Sequence, residues 1–526
     1  MGSLKHKRSK TVGRVPTSVA EGEIALNLKD GLIFTHDGEE VIQLDTDYPR
    51  VKRWHSGMSN YGGGIFFEGT NGKLYFGSSN HGTCQYPGSH WNDATNLGII
   101  EVCLPYHIHG AIKDFGVIGN HSMYVLFESG HLYGWGQNDS GELFGRSPVN
   151  ENVRKPTLIR TGIVEVAPPL NCGNEGNYPT VYWKNDRHHW HMSGHNEGSA
   201  RCGKSGQAAV IEAQTYIVPI PGAGSSRIEK IWNFGCRYGA TFAQTFDGKL
   251  WAIGYNGQGQ LGVGNTTTWI TTWTEVKGLP TGYKIKDVAG AYGSRNHSNN
   301  VWQSHAQGFT YIALTDGRLY STGINEFGQL GSKNNTNRSS FALASNMHSG
   351  NVKKMVTYGS GRYGGIYVLS ENGTLRYAGY NGTGQAGNGN TTNDPKLVYT
   401  LSTTATDVWT TKGGHVASHF SHVFYIQAGT LIGHGANDTG CIAPERAHYN
   451  YATSKSPSLF GWVGTDNIRE MIPVNGATGN DNGLTFMITK DGRLYGAGYN
   501  GVGVLKGWYH RGQVSDGRYE MPMRLV

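Results

Sequence analysis

The hydrophobic positions of this chain fall in short alternating runs that are separated by turns rich in glycine and asparagine. The clearest run lies in residues 246–262, which read FDGKLWAIGYNGQGQLG. Here Leu250 and Ala252 alternate with Trp251 and Ile253. Alternating aliphatic and aromatic residues suit a pleated, half-buried surface. The pattern predicts a short β-strand between an Asp-Gly turn and a second turn of the form G-x-N-x-x-G.

The same pattern recurs along the chain at intervals of about 56 to 69 residues. Seven copies have two glycines five residues apart, namely Gly77/Gly82, Gly136/Gly141, Gly254/Gly259, Gly323/Gly328, Gly379/Gly384, Gly435/Gly440 and Gly498/Gly503. An eighth, degenerate copy has Gly194 followed by Ser199. An asparagine follows the first glycine by two residues in all copies but the first, which has Ser79. A near-constant period of this length indicates a repeat architecture.

Each part of the repeat has a physical reason. Asp-Gly supplies the positive φ of a tight hairpin turn. Asparagine tolerates the left-handed region and can bond its own backbone two residues on. Paired glycines allow one backbone segment to approach another closely.

A second alternating run precedes each hairpin, and further strand-like segments complete each unit. These runs begin at Val51, Ile112, Ile163, Ile228, Ile285, Val352, Ala405 and Ile468. About four short antiparallel strands in each of eight units, with no helical periodicity, are typical of a β-propeller. The sequence therefore predicts an all-β chain whose residues 51–526 form a propeller of four-stranded blades, with seven or eight blades.

The signature DGxLWxxGxNxxGQLG resembles the repeat of the regulator of chromosome condensation family. It is clearest from Asp247 to Gly262, from Asp316 to Gly331 and from Asp491 to Gly503. The resemblance covers roughly residues 51–526 and implies a propeller, which in that family usually closes with seven blades. The family includes an exchange factor for a nuclear GTPase as well as many scaffolds, so the fold does not carry the activity with it.

The residues before the repeats divide into two segments. Residues 1–14 are polar and basic and are predicted to form a flexible arm, and residues 15–50 predict a three-stranded β-meander. The pattern from Arg14 to Phe34, R-V-P-T followed by G-E-I-A-L-N-x-x-D-G-x-I-F, resembles the N-terminal module of tailed-bacteriophage tail fibres. That resemblance implies a virion-attachment module, for which the candidate residues are Val15, Pro16, Leu26, Leu28, Ile33 and Phe34.

Composition narrows the function classes. The 526 residues include 79 glycines, only 16% charged residues and a net charge of +7, which is a mild bias for this length and makes nucleic acid an unlikely partner. The six cysteines are too sparse for a disulfide framework. An apolar leader and an 18-residue apolar window are both absent, so neither a signal peptide nor a membrane span is expected.

Three motifs invite a chemical interpretation, and each has a plainer one. Residues 198–205 match the phosphate-loop pattern GxxxxGKS, and Asp438-Thr439-Gly440 matches half of an aspartic-protease site, but both fall on the second turn of a repeat. His189, His191 and His195 could share a strand face, yet no carboxylate or cysteine completes a metal shell. We therefore expect no catalytic, cofactor or metal residues.

Aromatic residues in apparent loops suit sugar binding, because a ring face packs on a sugar while nearby polar groups bond its hydroxyls. The candidate receptor-facing residues are Trp91, Trp269, Trp273, Trp302, Trp508 and Tyr509. Long inserts at 92–101, 266–280, 293–307 and 438–458 are candidates for the loops that would present them.

The leading hypothesis is a structural bacteriophage tail-fibre or receptor-binding protein, made in the host cytoplasm and located in the virion tail. Its expected partners are other tail or baseplate proteins and a host-surface glycan or protein, with an oligomer, such as a trimer, on the virion. The alternative is a cellular propeller-type regulator or guanine-nucleotide exchange scaffold. A third class is a surface-glycan depolymerase, which would need two carboxylates in one cleft.

Overall fold

Each repeat of the sequence forms one antiparallel sheet. The strands are hydrogen-bonded in chain order, except that the last two strands of the final sheet exchange places. The structure is a computed structural model, and it describes residues 7–9, 25–27, 32–36, 41–44, 50–59, 62–77, 99–119, 122–146, 151–170, 179–196, 201, 210–221, 227–235, 238–292, 307–359, 361–411, 421–437, 442, 451–455, 463–474, 484–499, 508–509 and 518–525. Eight consecutive sheets follow residue 50, seven of them four-stranded and the last five-stranded. The predicted propeller is confirmed, and its units number eight.

The strands of the first four blades have these bounds: β5 Val51–Ser59, β6 Gly62–Gly69, β7 Leu74–Gly77 and β8 Ile99–Glu101; β9 Ile112–Ile118, β10 Ser122–Phe127, β11 Leu132–Gly136 and β12 Val153–Arg160; β13 Ile163–Ala167, β14 Thr180–Asn185, β15 Trp190–His195 and β16 Val210–Ile217; β17 Ile228–Phe234, β18 Ala240–Thr245, β19 Leu250–Tyr255 and β20 Trp269–Glu275. Blade 3 contains the degenerate repeat, which thus forms a full sheet.

The strands of the other blades have these bounds: β21 Ile285–Tyr292, β22 Gly308–Leu314, β23 Leu319–Gly323 and β24 Arg338–Leu343; β25 Val352–Tyr358, β26 Gly365–Ser370, β27 Leu375–Gly379 and β28 Tyr399–Ser402; β29 Ala405–Thr410, β30 His422–Gln427, β31 Thr430–Gly435 and β32 Tyr451–Lys455; β33 Ile468–Val474, β34 Leu484–Thr489, β35 Leu494–Tyr499, β36 Trp508–Tyr509 and β37 Arg518–Leu525. The described helical segments are short, namely α1 Tyr106–His109 and the 3-10 turns Ser345–Met347, Gly361–Tyr363 and Thr465–Asn467.

The hydrophobic core lies between blades. Phe242 and Leu250 of blade 4 pack in one cluster with Val288 and Ile312 of blade 5. A sheet that is covered on both faces buries both sets of alternating side chains. Accordingly, all seven residues of β22 are buried. This packing explains why strands such as β22 carry apolar residues on both faces.

The first strand of every blade contains a β-bulge at its second residue. The pairing register with the second strand skips that residue in each blade, for example Lys286 between Ile285 and Asp287. The skipped residues are Lys52, Lys113, Val164, Glu229, Lys286, Lys353, Thr406 and Arg469. A bulge re-aims the side chain of the extra residue. We call the side of the ring that carries these eight residues and the turns between second and third strands the bulge face.

Several bulge residues bind the next blade. Lys286 Nζ donates to the carbonyl of Val352 at 2.6 Å, and Lys353 Nζ donates to the carbonyl of Thr406 at 2.7 Å. Arg469 Nη2 donates to the carbonyl of Val51 at 2.8 Å, which joins blade 8 to blade 1. The Val51 N–H donates in turn to the carbonyl of Gly492 at 2.7 Å. These bonds close the ring of eight blades.

Arg469→Met is expected to loosen this closure while leaving the blades folded. The substitution keeps the apolar stem but removes the donor to Val51, a bond with a charged donor that contributes about 1.5 kcal/mol or more. Hydrogen exchange at the Val51 amide should become faster by roughly tenfold. Lys353→Met, which removes the matching bond between blades 6 and 7, is the control and should leave the Val51 amide unchanged. Equal exchange at Val51 in both variants would contradict this role of Arg469.

The residues before the propeller form a separate four-stranded sheet. It consists of β1 (Lys7–Ser9), β2 (Ala25–Asn27), β3 (Leu32–His36) and β4 (Val41–Leu44). The predicted meander corresponds to β2, β3 and β4, which pair antiparallel. Within the predicted arm of residues 1–14 the structure describes Lys7–Ser9, which pairs in parallel with β2. The physical reason is that an edge strand offers unpaired backbone groups, and a short basic segment can occupy such an edge.

Candidate functional site

The second turn of each repeat is organised by one buried asparagine side chain. In blade 5, Asn325 Oδ1 accepts a hydrogen bond from the backbone N–H of Leu330 at 2.8 Å. The same bond to the residue five positions on is made by Asn138, Asn196, Asn256, Asn381 and Asn437. All six side chains are fully buried. None of these asparagines has a positive φ, so the expectation of a left-handed residue that bonds two positions on is wrong. The amide is needed as an internal bridge.

The glycine that opens the turn is required by conformation and space together. Gly323 has a φ of +107°, and a Cβ there would lie 2.4 Å from the carbonyl oxygen of Gly308. Gly254 has a φ of +124°, and a Cβ there would lie 2.4 Å from the carbonyl oxygen of Gly239. The predicted close approach of backbones is therefore confirmed for this glycine.

Three successive blades, 4 to 6, extend the turn into an exposed loop that is held by the same hydrogen bond in each blade. The buried Asn256 uses Nδ2 to hold the carbonyl of Asn265, nine residues on, at 2.9 Å. Asn325 holds the carbonyl of Asn334 at 2.7 Å in the same way, and Asn381 holds that of Asn390 at 3.1 Å. We call the three segments 256–268, 324–337 and 380–398 the polar arc. Each of its loops is held by the side-chain amide of a buried asparagine.

At the top of each loop an exposed asparagine forms an Asx-turn. Asn265 Oδ1 accepts from the N–H of Thr267 at 3.0 Å. Asn334 accepts from Thr336 at 3.0 Å, and Asn390 accepts from Thr392 at 2.9 Å. The blades of the arc are also joined, since Asn337 Nδ2 donates to Gln258 Oε1 at 2.7 Å. The loops of blades 4 and 5 are therefore bonded to each other as well as within themselves.

Two aromatic clusters lie beside the polar arc. In blade 4, the ring of Trp269 stacks on Tyr238 with centroids 5.8 Å apart and meets Tyr255 edge-on at 5.1 Å. Trp269 is partly exposed, whereas the two tyrosines are buried. The partly exposed ring of Trp269 is thus packed against two buried tyrosine rings.

The second cluster is at the boundary of blades 5 and 6. Phe327 stacks on Tyr363 at 5.9 Å and meets Tyr380 edge-on at 5.3 Å. The guanidinium of Arg362 lies over both Phe327 and Tyr363, and it pairs with Glu326. Tyr380 and Tyr363 occupy the places that Tyr255 and Tyr238 hold in blade 4. The motif is therefore repeated two blades apart.

A second buried position of the turn carries glutamine in the polar arc and a glutamate in blade 2. Gln329 Oε1 accepts from the N–H of Phe327 at 2.9 Å, and Gln260 and Gln385 do the same in their blades. Glu142 Oε2 accepts the equivalent bond from Ser140 at 2.7 Å. Burial, with a smaller effect of Asp139, raises the pKa of Glu142 to about 7. Glu142 thus replaces a neutral amide with a titratable group.

The described part of the phosphate-loop pattern belongs to the turn of blade 3. The N–H of Arg201 donates to Asn196 Oδ1 at 2.8 Å, as leucine does in other repeats. Its guanidinium is buried and donates to Asn233 Oδ1 at 2.5 Å, and burial lowers its pKa. Gly203 and Lys204 lie outside the described residues. Arg201 is thus an interior residue of the repeat.

The predicted receptor-facing aromatics that the structure describes lie in different environments. Trp269 borders the polar arc, but Trp273 is only 2% exposed and packs in the core of blades 3 and 4, so it cannot face a receptor. Its segment, 266–280, is not an insert because it contains β20. Trp508 and Tyr509 form β36, which pairs with β37. Trp91 and Trp302 lie outside the described residues.

Three of the six predicted attachment residues lie in strands of the N-terminal sheet. Leu26 is in β2, and Ile33 and Phe34 are in β3, where Leu26 pairs with Ile33. Val15, Pro16 and Leu28 lie outside the described residues.

The histidine-rich segment does not form a metal cluster in the described part of the chain. His191 stacks on Trp183 at 5.8 Å, whereas His195 is buried at the end of β15 and His188 occupies a turn. Among the described residues, no group of three or more His, Cys, Asp or Glu side chains could hold a metal ion.

The described helices are all too short to cross a membrane. The Asp438-Thr439-Gly440 motif lies outside the described residues.

Comparisons with known proteins bear on the repeats and the fold. No protein-family model matches the sequence. A stretch of 153 residues is 34% identical to the X-linked retinitis pigmentosa GTPase regulator of Canis lupus familiaris, covering 29% of this chain but only 13% of that protein. The chain thus matches a small part of that relative's length. Together with the signature motif, this likeness supports repeats of the regulator-of-chromosome-condensation type.

Solved structures resemble the chain at low sequence identity. Human WBSCR16 is 14% identical with a TM-score of 0.50, over 79% of this chain and 99% of that chain. Yeast RCC1 (Prp20), in a structure bound to Kap60, is 15% identical with a TM-score of 0.45, over 80% of this chain and 78% of that chain. The likeness to WBSCR16 concerns the fold alone.

Proposed function

We propose that this chain is an interaction scaffold of the propeller-type regulator class, which binds a macromolecular partner on the loop side of the ring opposite the bulge face. The observation that carries the proposal is the polar arc, where three consecutive blades present the same exposed loop on buried supports. A rigid frame that holds equivalent loops in fixed positions lowers the ordering cost of binding. Propellers commonly place function in such loops.

The resemblance of the repeats to a GTPase regulator favours a regulatory partner. The matched stretch of that relative is 34% identical to this chain, although it covers only 13% of the relative. A guanine-nucleotide exchange scaffold is therefore the first specific form of this proposal. Exchange requires a surface that binds the nucleotide-free GTPase more tightly than the GDP-bound form, because a ligand shifts an equilibrium only by its differential affinity.

A second candidate function is the head of a virion-attached fibre. The observation that favours it is the small sheet ahead of the propeller, whose β2 and β3 contain the A-L-N and I-F residues of the tail-fibre motif. In this case the N-terminal sheet would attach the chain to a tail, and several heads on one particle would bind a host surface by avidity.

One binding comparison separates the two candidates. The immobilised full chain is offered a nuclear-class GTPase in nucleotide-free and GDP-bound forms and, separately, intact bacterial cells. A regulator binds the nucleotide-free GTPase preferentially and accelerates release of a fluorescent GDP analogue. A fibre head binds cells and leaves GDP release unchanged. If the chain binds neither the GTPase nor the cells, the scaffold proposal is wrong.

A further inference from the structure

The polar arc combines three properties that together define a ligand class. The first is its charge balance. Its three segments contain two acidic residues, Glu326 and Asp394, and two lysines, Lys333 and Lys396, and the segment 256–268 contains no charged residue. A surface for nucleic acid or another polyanion concentrates lysine and arginine instead. The arc therefore suits an uncharged partner.

The second property is a set of three equivalent amide donors. Asn265, Asn334 and Asn390 are exposed, and each uses Oδ1 inside its own Asx-turn. Within the part of the chain that the structure describes, their Nδ2 groups donate to no protein acceptor. The loops are held from below by Asn256, Asn325 and Asn381, so the three donors are pre-organised. Threonine hydroxyls at positions 266, 267, 336, 391 and 392 extend the same uncharged hydrogen-bonding surface.

The third property is aromatic surface at the border of the arc. Trp269 directly follows the first loop, and Phe327 lies in the second turn. Trp269, Phe327 and Tyr363 are partly exposed, and each is held by stacking on another ring. A fixed ring edge or face beside amide and hydroxyl groups is the combination that packs on a sugar and bonds its hydroxyls.

We propose that the polar arc binds an uncharged polysaccharide, with one sugar-binding position on each of blades 4, 5 and 6. This inference rests on the scaffold function and names the chemistry of the partner. Equivalent sites at successive blades match a polymer with a repeating unit, and several weak contacts on one chain add by avidity. An uncharged peptide would instead require an open strand edge or apolar pockets for its side chains.

The test is affinity electrophoresis of the full chain in native gels that contain dextran, hydroxyethyl cellulose or galactomannan as neutral probes, with polygalacturonate as the charged probe. The expected result is retardation by at least one neutral polymer and not by polygalacturonate. The variant N265D/N390D keeps the acceptor of each Asx-turn but removes two amide donors and adds two charges. It should weaken retardation by about tenfold or more, since each lost bond contributes roughly 1 kcal/mol.

The matched control is N71D/N372D. Asn71 and Asn372 accept from Lys73 and Thr374 in the same kind of Asx-turn, but they lie on the bulge face. The control carries the same charge change and should be retarded like the wild type. Equal weakening in both variants, retardation by polygalacturonate alone, or no retardation in any gel would overturn the glycan assignment.

The two proposals fail separately. If no gel retards the chain while the GTPase or the cells still bind, the glycan assignment is wrong and the scaffold proposal stands. If N265D/N390D weakens GTPase binding without any gel effect, the polar arc belongs to a protein partner. If the chain binds no polymer, no GTPase and no cells, both the glycan assignment and the scaffold proposal are wrong.

Discussion

Asn325→Ala is expected to lower the free energy of unfolding by about 3 kcal/mol, a large loss for an uncharged residue in a turn. The side chain is fully buried, with Oδ1 bonded to the Leu330 N–H and Nδ2 bonded to the carbonyl of Asn334. Alanine leaves a buried N–H without a partner and releases the loop above it, and each orphaned group costs about 1 to 3 kcal/mol. Denaturant midpoints followed by tryptophan fluorescence would measure the change.

Asn372→Ala is the control for this substitution. Asn372 is exposed, and among the described residues its side chain bonds to Thr374 and Ser349 alone, so its loss should cost about 1 kcal/mol or less. Because a chain of repeats can unfold in stages, the comparison uses midpoints obtained with two spectroscopic probes. An Asn325→Ala protein as stable as the Asn372→Ala protein would show that the buried amide is not essential to the turn.

Glu142→Gln is expected to stabilise the chain by about 3 kcal/mol at pH 8 and to have little effect below pH 4.5. Burial raises the pKa of Glu142 from 4.5 to about 7. The folded state therefore binds this proton more tightly than the unfolded state. The contribution to stability is full below pH 4.5 and is lost as the pH rises through about 7. Glutamine is neutral at every pH, and it already occupies this position in blades 4 to 6.

The measurement is the denaturant midpoint of wild type and Glu142→Gln at several pH values from 5 to 8, with the exposed Glu128→Gln as the control for the charge change. The difference in denaturant midpoint between wild type and Glu142→Gln should grow with pH. The midpoint of the Glu128→Gln control should change with pH as that of wild type does. Burial also lowers the pKa of His434 to about 4, so that group destabilises the fold as the pH falls below 6.5. It acts equally in all three proteins and cancels in the difference. A difference that stays constant from pH 5 to 8 would contradict the assignment.

The repeat could be predicted from the sequence because its strongest signals are local. The period, the glycine that opens the second turn and the strands around Leu250 and Ile312 all follow from backbone conformation and alternation. The asparagine was recognised as a turn residue, but its role was misassigned. A bond from Asn325 to an N–H five residues on depends on how the chain folds back over the side chain, and no residue preference reports that.

Other features depend on packing between blades and could not be predicted. Trp269 and Trp273 are four residues apart in one strand, yet one borders the surface and the other is buried. The register of β20 against β19 shifts between Ile270 and Thr274, and Trp273 packs between blades 3 and 4. The bulges at residues such as Lys286 and Arg469 could not be predicted either. A bulge is defined by how two strands pair, and the sequence of one strand alone does not show which residue the pairing skips. The parallel pairing of Lys7–Ser9 is a long-range contact of the same kind.

Each described blade is built from strands that are contiguous in the sequence. The contacts between blades are made by side chains, by bulge residues and by individual backbone hydrogen bonds such as that from Val51 to Gly492. A duplication or deletion of one whole unit would therefore leave every sheet with its own partners and would alter only the angle between neighbours. This separates the evolution of blade number from the evolution of blade structure. A ring of eight can arise from a ring of seven by a single genetic event, and the new blade is then free to diverge in its exposed loops.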